Sequence, residues 1–197
     1  MGSKKTAQPE LPVLLFKSVG PWKTWLTKNA ARSKGLWLRI AKKGSSLRSV
    51  TYDQALEAAL CYGWIDGQKK SLDDASWLQR FTPRGPRSIW SKINCARAER
   101  LMEEGRMKPA GLAAVERAKA NGEWEKAYEG QRTIEAPEDF IRLLAVRPKA
   151  KVFYETLNRQ NSYAINFRIH SAKKPETRVR RMEKFIEMLE RNEKIYP

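Results

Sequence analysis

The sequence predicts an α+β protein, with a small antiparallel β-sheet packed by helices and followed by a helical C-terminal region. Three observations predict it. GLWLRIAKKG alternates as a half-buried strand does. TYDQALEAALCYG carries the signals of a capped amphipathic helix that runs directly into a second strand. From Pro137 onward the chain breaks into short helical patterns separated by prolines and polar residues. The expected division is a disordered tail over 1–10, an α+β region over 11–92, a helical hairpin and linker over 93–135, and a C-terminal helical region over 136–197.

Element by element, SVGPWKTWLTKNAARSKG reads as a helix with Pro21 in its first turn and Gly35 beyond its end, burying Trp22, Trp25 and Leu26. The following strand places Leu36, Leu38 and Ile40 on one face and Trp37, Arg39 and Ala41 on the other. In the next helix Thr51 and Gln54 have capping-box spacing, Ala55, Leu56, Ala59 and Leu60 share a face, and Gly63 ends it in a left-handed turn. WIDG then opens a strand that returns through QKKSLDD to an antiparallel partner, SWLQRFTPR. Ser91 and Gly105 bound one helix, Pro109 and Gly122 bound the next, and EWEKAYEGQRTIEA is a linker. Four helices follow: PEDFIRLLAV, PKAKVFYETLNRQ, NSYAINFRIHSAKK and PETRVRRMEKFIEMLERN. The last puts Val179, Met182, Phe185, Ile186 and Leu189 on one face and Arg180, Lys184 and Arg191 on the other. That basic stripe is interleaved with Glu183, Glu187 and Glu190, so a solvated face is favoured over a binding face, with Glu187 and Arg191 at stabilising spacing. A helix-turn-helix between Pro137 and Asn192 is left open by periodicity alone.

Composition narrows the function. The 197 residues, 41% apolar, suffice for a core without staples. Cys61 and Cys95 lack disulfide or metal spacing and read as small core residues of a reducing compartment. No apolar run of about 18 residues or more exists to span a membrane. No apolar h-region follows the first lysines, so the cytoplasm is the expected location. MGSKKT matches the N-myristoylation pattern, but that signal requires a eukaryotic host and Met-Gly-Ser is also a common remnant of an expression tag, so the match is not read as a working signal. A net charge of +17 points to polyanions such as nucleic acid or anionic headgroups as partners. The charge is clustered in two acid-free runs, Arg32 to Arg48 and Arg80 to Arg97, expected to meet on one surface.

The segments WLTKN, GLWLRIAKK, TYDQALEAALCYGWIDG, RFTPRGPRSIWSKIN, GRMKPAGLAAV and AKKPETRVRRMEKFIEML, in that order, resemble the YdeI/OmpD-associated family of bacteriocin-protection proteins, from about Trp22 to the C-terminus. The resemblance implies a role in withstanding bacteriocins or cationic peptides, an envelope setting and an envelope protein partner. It implies no catalytic residues. A chain at +17 is a poor electrostatic trap for cationic peptides.

The best candidate site joins Trp64, Asp66, Arg80, Arg84, Arg87, Trp90 and Asn94, which the hairpin brings near one another: the arginines would clamp a phosphate or carboxylate and a tryptophan would offer a stacking face. The structural alternative is an Asp66–Arg80 salt bridge with both tryptophans in the core. The RGPR loop, offering Arg84 and Arg87, is harder to explain structurally. Arg32, Arg39, Lys42 and Lys43 form a secondary basic patch. Catalytic and metal readings are weaker: His170 is the only histidine and lacks a nucleophile partner, Asp73-Asp74 reads as a turn, and no phosphate-binding or dinucleotide motif calls for a cofactor. The expectation is a non-enzymatic resistance-associated protein with a basic anion-binding surface. The alternatives are an intracellular nucleic-acid-binding protein and an enzyme acting on a phosphorylated or acidic small molecule.

Overall fold

The structure, a computed structural model, describes residues 11–130 and 133–197. The first ten residues, with the expected tail and the MGSKKT pattern, lie outside the described residues. The chain forms two compact units: one takes the described residues up to Ser88 together with Asn94–Glu125, the other Ile89–Ile93 together with Lys126–Pro197.

In the first unit the elements are β1 (Val13–Leu14), α1 (Val19–Asn29), β2 (Leu36–Ala41), α2 (Tyr52–Cys61), β3 (Trp64–Ser71), β4 (Ser76–Pro83), α3 (Lys92–Glu103) and α4 (Pro109–Ala120). α3 begins on the short segment assigned to the second unit. The sheet order is β1-β2-β4-β3. The expected antiparallel core β2-β4-β3 is present, but the sheet is mixed, because the two-residue β1 adds a parallel edge on β2. A strand that short has no periodicity to read. Leu36, Leu38 and Ile40 are buried as the alternation predicts, and Phe81 opposite Leu36 is buried with them. Burying a side chain of this kind contributes about 1.5–3 kcal/mol, so this row holds α1 and α2 against one face of the sheet. Trp22 contacts Phe81 at 5.8 Å between ring centroids and donates its indole N–H to the Ala55 carbonyl at 3.0 Å, joining α1, α2 and the sheet.

α1 stops at Asn29, earlier than the sequence suggests, and the Asn29 amide hydrogen-bonds back to the Trp25 carbonyl at 2.8 Å. Gly35 is therefore not its terminator. It enters β2 at φ 138°, where a Cβ would lie 2.8 Å from the Phe81 carbonyl oxygen. α2 behaves as read: Thr51 and Gln54 form a full capping box, and Gly63 follows the helix at φ 71°. The end of α2 is also a docking point. The Lys108 amide donates to the Cys61 carbonyl at 2.9 Å, and a Cβ on Gly111 would stand 2.3 Å from that same oxygen, while one on Gly63 would stand 2.6 Å from the Ala110 carbonyl oxygen. Backbone meets backbone here, and only glycines fit. Around it Glu57 of α2 pairs with Arg100 and with Arg106.

The second unit contains α5 (Glu138–Ala145), α6 (Pro148–Glu155), α7 (Arg159–His170) and α8 (Pro175–Glu190), the four helices expected. Its core is Phe140, Leu144, Ala150, Ile165, Ile169, Met182, Phe185, Ile186 and Leu189. Val179, placed on the buried face of α8 by periodicity, is instead 48% exposed, and the core residues of α8 begin at Met182. Arg191 pairs with Glu193 at 3.0 Å rather than with Glu187, since the helix ends at Glu190. Arg178 clamps the unit: its Nε and Nη2 donate to the two Asp139 carboxylate oxygens at 2.7 and 2.8 Å, and Nη1 donates to the Ile169 carbonyl at 3.0 Å. Those hydrogen bonds hold the Asp139 carboxyl below the usual carboxylate range.

Two outcomes follow. Gly111→Ala should destabilise the protein by about 1–3 kcal/mol through backbone overlap, and Gly63→Val by roughly 1 kcal/mol or more. Gly20→Ala, at an open position of α1, should be neutral or stabilise by up to about 1 kcal/mol. Urea melts of the three variants check this, and a Gly111→Ala protein as stable as the parent would contradict it. For the clamp, Asp139→Asn should cost about 1–2 kcal/mol at pH 7, toward the lower range for charged hydrogen bonds because the two side chains are 27% and 34% exposed. A carboxylate with a depressed folded pKa stabilises fully above its unfolded value, near 3.8, and that contribution is lost as pH falls through the folded value. The gap between parent and variant should therefore begin to narrow below about pH 4 and close only below the folded value; a gap unchanged down to pH 2 would refute the assignment.

Candidate functional site

The structure does not assemble the first candidate constellation. Trp64 is 1% exposed: it opens β3 on the helix-covered face, donates its indole N–H to the Ala30 carbonyl at 3.2 Å and meets Trp25 edge-on at 5.7 Å. Trp90 is also buried and belongs to the second unit, so neither ring offers a stacking surface. Asp66 accepts from the Tyr52 hydroxyl at 2.8 Å and has no ion pair with Arg80. The reason is register. Asp66 lies opposite Phe81, on the helix face, whereas Arg80 lies opposite Trp37, on the other face. Arg84 is buried too, with its amide bonded to the Gly63 carbonyl at 2.9 Å and its positive charge felt by the Cys95 thiol. Of the two arginines in the RGPR loop, Arg87 alone is exposed, and the loop is tied to the end of α4 by the Asn121 side-chain amide, which donates to the Pro86 carbonyl at 2.9 Å. Asn94 is half-buried on α3. Members of the two acid-free runs are committed to acidic partners: Arg97 pairs with Asp53 at 2.8 Å and Arg39 with Asp73 at 2.8 Å, while Arg32 lies in the turn after α1.

Half of the secondary patch leads to a groove. Lys42 and Lys43 begin the loop after β2, which turns at Gly44 with φ 83° and is drawn back when Ser49 Oγ accepts from the Ala41 amide at 2.9 Å. They stand over a depression of about 590 Å³ whose cationic walls are Lys17, Lys42, Lys43 and Arg48, and whose floor includes Ile40 and Trp77. An adjoining depression of about 430 Å³ shares Lys42, Lys43 and Trp77 and adds Lys69 and Ser71. No aspartate or glutamate lines either one. Trp77 is the ridge between them, with the Lys69 ammonium 4.4 Å from its ring centroid and the Tyr52 ring at 6.0 Å.

Two helices begin at this groove. Ser18 and Val19 at the start of α1, and Thr51 and Tyr52 at the start of α2, are among its lining. The start of α1 has no acidic residue in its first turn and no side-chain cap on Ser18. Its first amides are thus left to another acceptor, and the helix dipole adds partial positive charge. Cations, the uncapped start of α1, hydroxyls and an indole, with no opposing carboxylate in the lining, make a site suited to a phosphate-like anion. The sequence signal for Lys42 and Lys43 was their acid-free run. Lys69 and Trp77 were missed, although both lie in the hairpin that the sequence does predict.

Of the groups with catalytic potential among the described residues, Tyr52 lines the groove, whereas Cys61, Cys95 and His170 do not. Burial pushes the Cys95 thiol up to about 11, with Glu99 adding to it, and raises the Cys61 thiol as well, so neither is a ready nucleophile. The Tyr52 hydroxyl is raised above its ordinary range by burial first and by Asp66 second, so it is a neutral donor. Exposed His170 bonds to the Glu135 carbonyl at 3.1 Å. Asp73 accepts from the Ala75 amide at 3.0 Å and the Ser76 hydroxyl at 2.7 Å, a turn as expected. Among the described residues no three His, Cys, Asp or Glu side chains converge as metal ligands, and no helix is long and apolar enough to cross a membrane. In the second unit a groove of about 420 Å³ beside Val152 and Phe153 has one lysine and one glutamate, Lys149 and Glu190, and so no net sign of charge.

No curated protein and no solved structure matches the chain. Residues 133–192, which carry α5 to α8, match the family described as bacteriocin-protection, YdeI or OmpD-associated. That is a narrower span than the motifs from Trp22 onward suggested. Residues 14–114, which contain the whole groove, match a family described as a domain of unknown function, DUF8412. The chain therefore belongs to the DUF8412 family and carries, after that domain, a bacteriocin-protection, YdeI or OmpD-associated domain.

Proposed function

We propose that the protein serves bacteriocin protection without catalysis, as a binding protein whose N-terminal groove takes a phosphate-bearing anion. The observation that carries the reading is the convergence of Lys17, Lys42, Lys43, Arg48 and Lys69 with the start of α1 on a cavity whose lining has no carboxylate. Charge alone would be a weak argument, because a protein at +17 attracts anions everywhere. Concavity and fixed backbone donors make the difference: a phosphate there gains hydrogen bonds that need no side chain to be ordered. Burial of the unpaired Cys61 and Cys95 suits a reducing compartment, so we place this activity in the cytoplasm.

Thermal melts with pyrophosphate as the probe test the reading. A ligand at about 100 times its dissociation constant stabilises the folded state by ~2.7 kcal/mol, so the parent's Tm should rise by several degrees. Lys42→Ala with Lys43→Ala should abolish most of that rise, and a control pair on an exposed helix of the second unit, Lys149→Ala with Lys151→Ala, should keep it. Equal responses from the two double variants would show that the protein binds anions only by its overall charge.

A further inference from the structure

The opposite face of the sheet has its own chemistry. Trp37, Arg39 and Ala41 of β2 face Arg80, Leu78 and Ser76 of β4 on the side away from Trp22 and Phe81. Arg39 is committed, since it holds Asp73 and the Ser76 hydroxyl, each at 2.8 Å. Trp37 and Arg80 are different. Trp37 is half-buried, with the Lys70 ammonium 4.5 Å from its ring centroid. Arg80, its cross-strand neighbour, has a buried Nε with no hydrogen-bond partner among the described residues. Beside Arg80 the pairing of β3 slips between Asp66 and Lys69, so Gly67 and Gln68 together oppose this one residue. The bulge is held from the other face by the buried Gln79 amide, which donates to the Gly67 carbonyl at 2.9 Å and the Gln68 carbonyl at 3.2 Å. With no side chain at Gly67, the space over the Arg80 stem stays open.

We infer that this sheet face binds a single-stranded nucleic acid, with a base stacked on Trp37 and the flanking phosphates taken by Arg80 and Lys70. An indole on a sheet surface accepts any base by its π-face, and the cations beside it complement the backbone. The Lys70 ammonium now over the ring would give way to the base and move to a phosphate. An edge strand rich in lysine and broken by a bulge also guards against sheet-to-sheet aggregation. That role leaves the half-buried tryptophan beside Arg80 unexplained, and the ligand accounts for it. The inference does not rest on the groove, which lies on the helix-covered face.

The test is fluorescence anisotropy of the full chain with labelled dT20, rU20 and an abasic 20-mer of the same charge. Binding of dT20 or rU20 should be about tenfold or more tighter than binding of the abasic strand, the effect of a stacked base. Trp37→Ala should erase that difference and Trp37→Phe should largely restore it. Arg80→Gln should weaken all three strands and lower the salt slope by about 0.7, one phosphate on a single strand. Lys42→Ala with Lys43→Ala should leave the preference for bases intact. Abasic and base-bearing strands bound equally by the parent would overturn the inference, and this arm needs no variant to fold. So would a preference for bases that survives Trp37→Ala but is lost in the groove variant.

Discussion

The first unit is organised by one backbone contact: the end of α2 pressed against the start of α4. The Cys61 carbonyl accepts the Lys108 amide while Gly63 and Gly111 leave out the Cβ atoms that would force the segments apart. Because Gly63 also reverses the chain at positive φ, β3 begins at the next residue and runs back alongside α2. That return brings Asp66 to the Tyr52 hydroxyl and Lys69 to Trp77. The start of α2 is thereby held at the groove, about as far from its glycine end as ten residues of helix reach, roughly 15 Å. A packing constraint at one end of the helix thus positions a charge arrangement at the other.

Consecutive lysines on β3 show how the same strand serves two faces. Lys69 lies over Trp77 on the helix-covered face and Lys70 over Trp37 on the open one. The bulge sets this arrangement. Continuing the Asp66–Phe81 register without a slip would put Lys69 opposite Leu78 and send it to the open face; the extra residue at Gly67–Gln68 puts it opposite Gln79 instead. One residue therefore decides which lysine belongs to which site.

This is also where the sequence ceased to be legible. Local signals carried the fold well: the capping box at Thr51, the stop at Gly63, the alternation of β2 and the proline-bounded helices of the second unit are each written within a few residues. The candidate site depended on facts that no local window holds. Whether Trp64 and Arg84 face solvent depends on what α1 and α3 place over them, and polarity alone made Arg84 look exposed. The Asp66–Arg80 pairing assumed a shared face, which register denies. Lys42 and Lys43 were found because an acid-free run is visible in sequence, whereas the convergence of two helix starts beside them is a property of the fold.

Amide chemical shifts under phosphate titration test the central claim most directly. Inorganic phosphate bound in the groove should shift the amides of Val19 and Gly20 at the start of α1 and those of the Lys42–Ser45 turn, saturably and together. The Arg87 amide and the helices of the second unit should stay in place. Shifts spread evenly over the exposed lysines and arginines, or centred on the RGPR loop, would contradict the account.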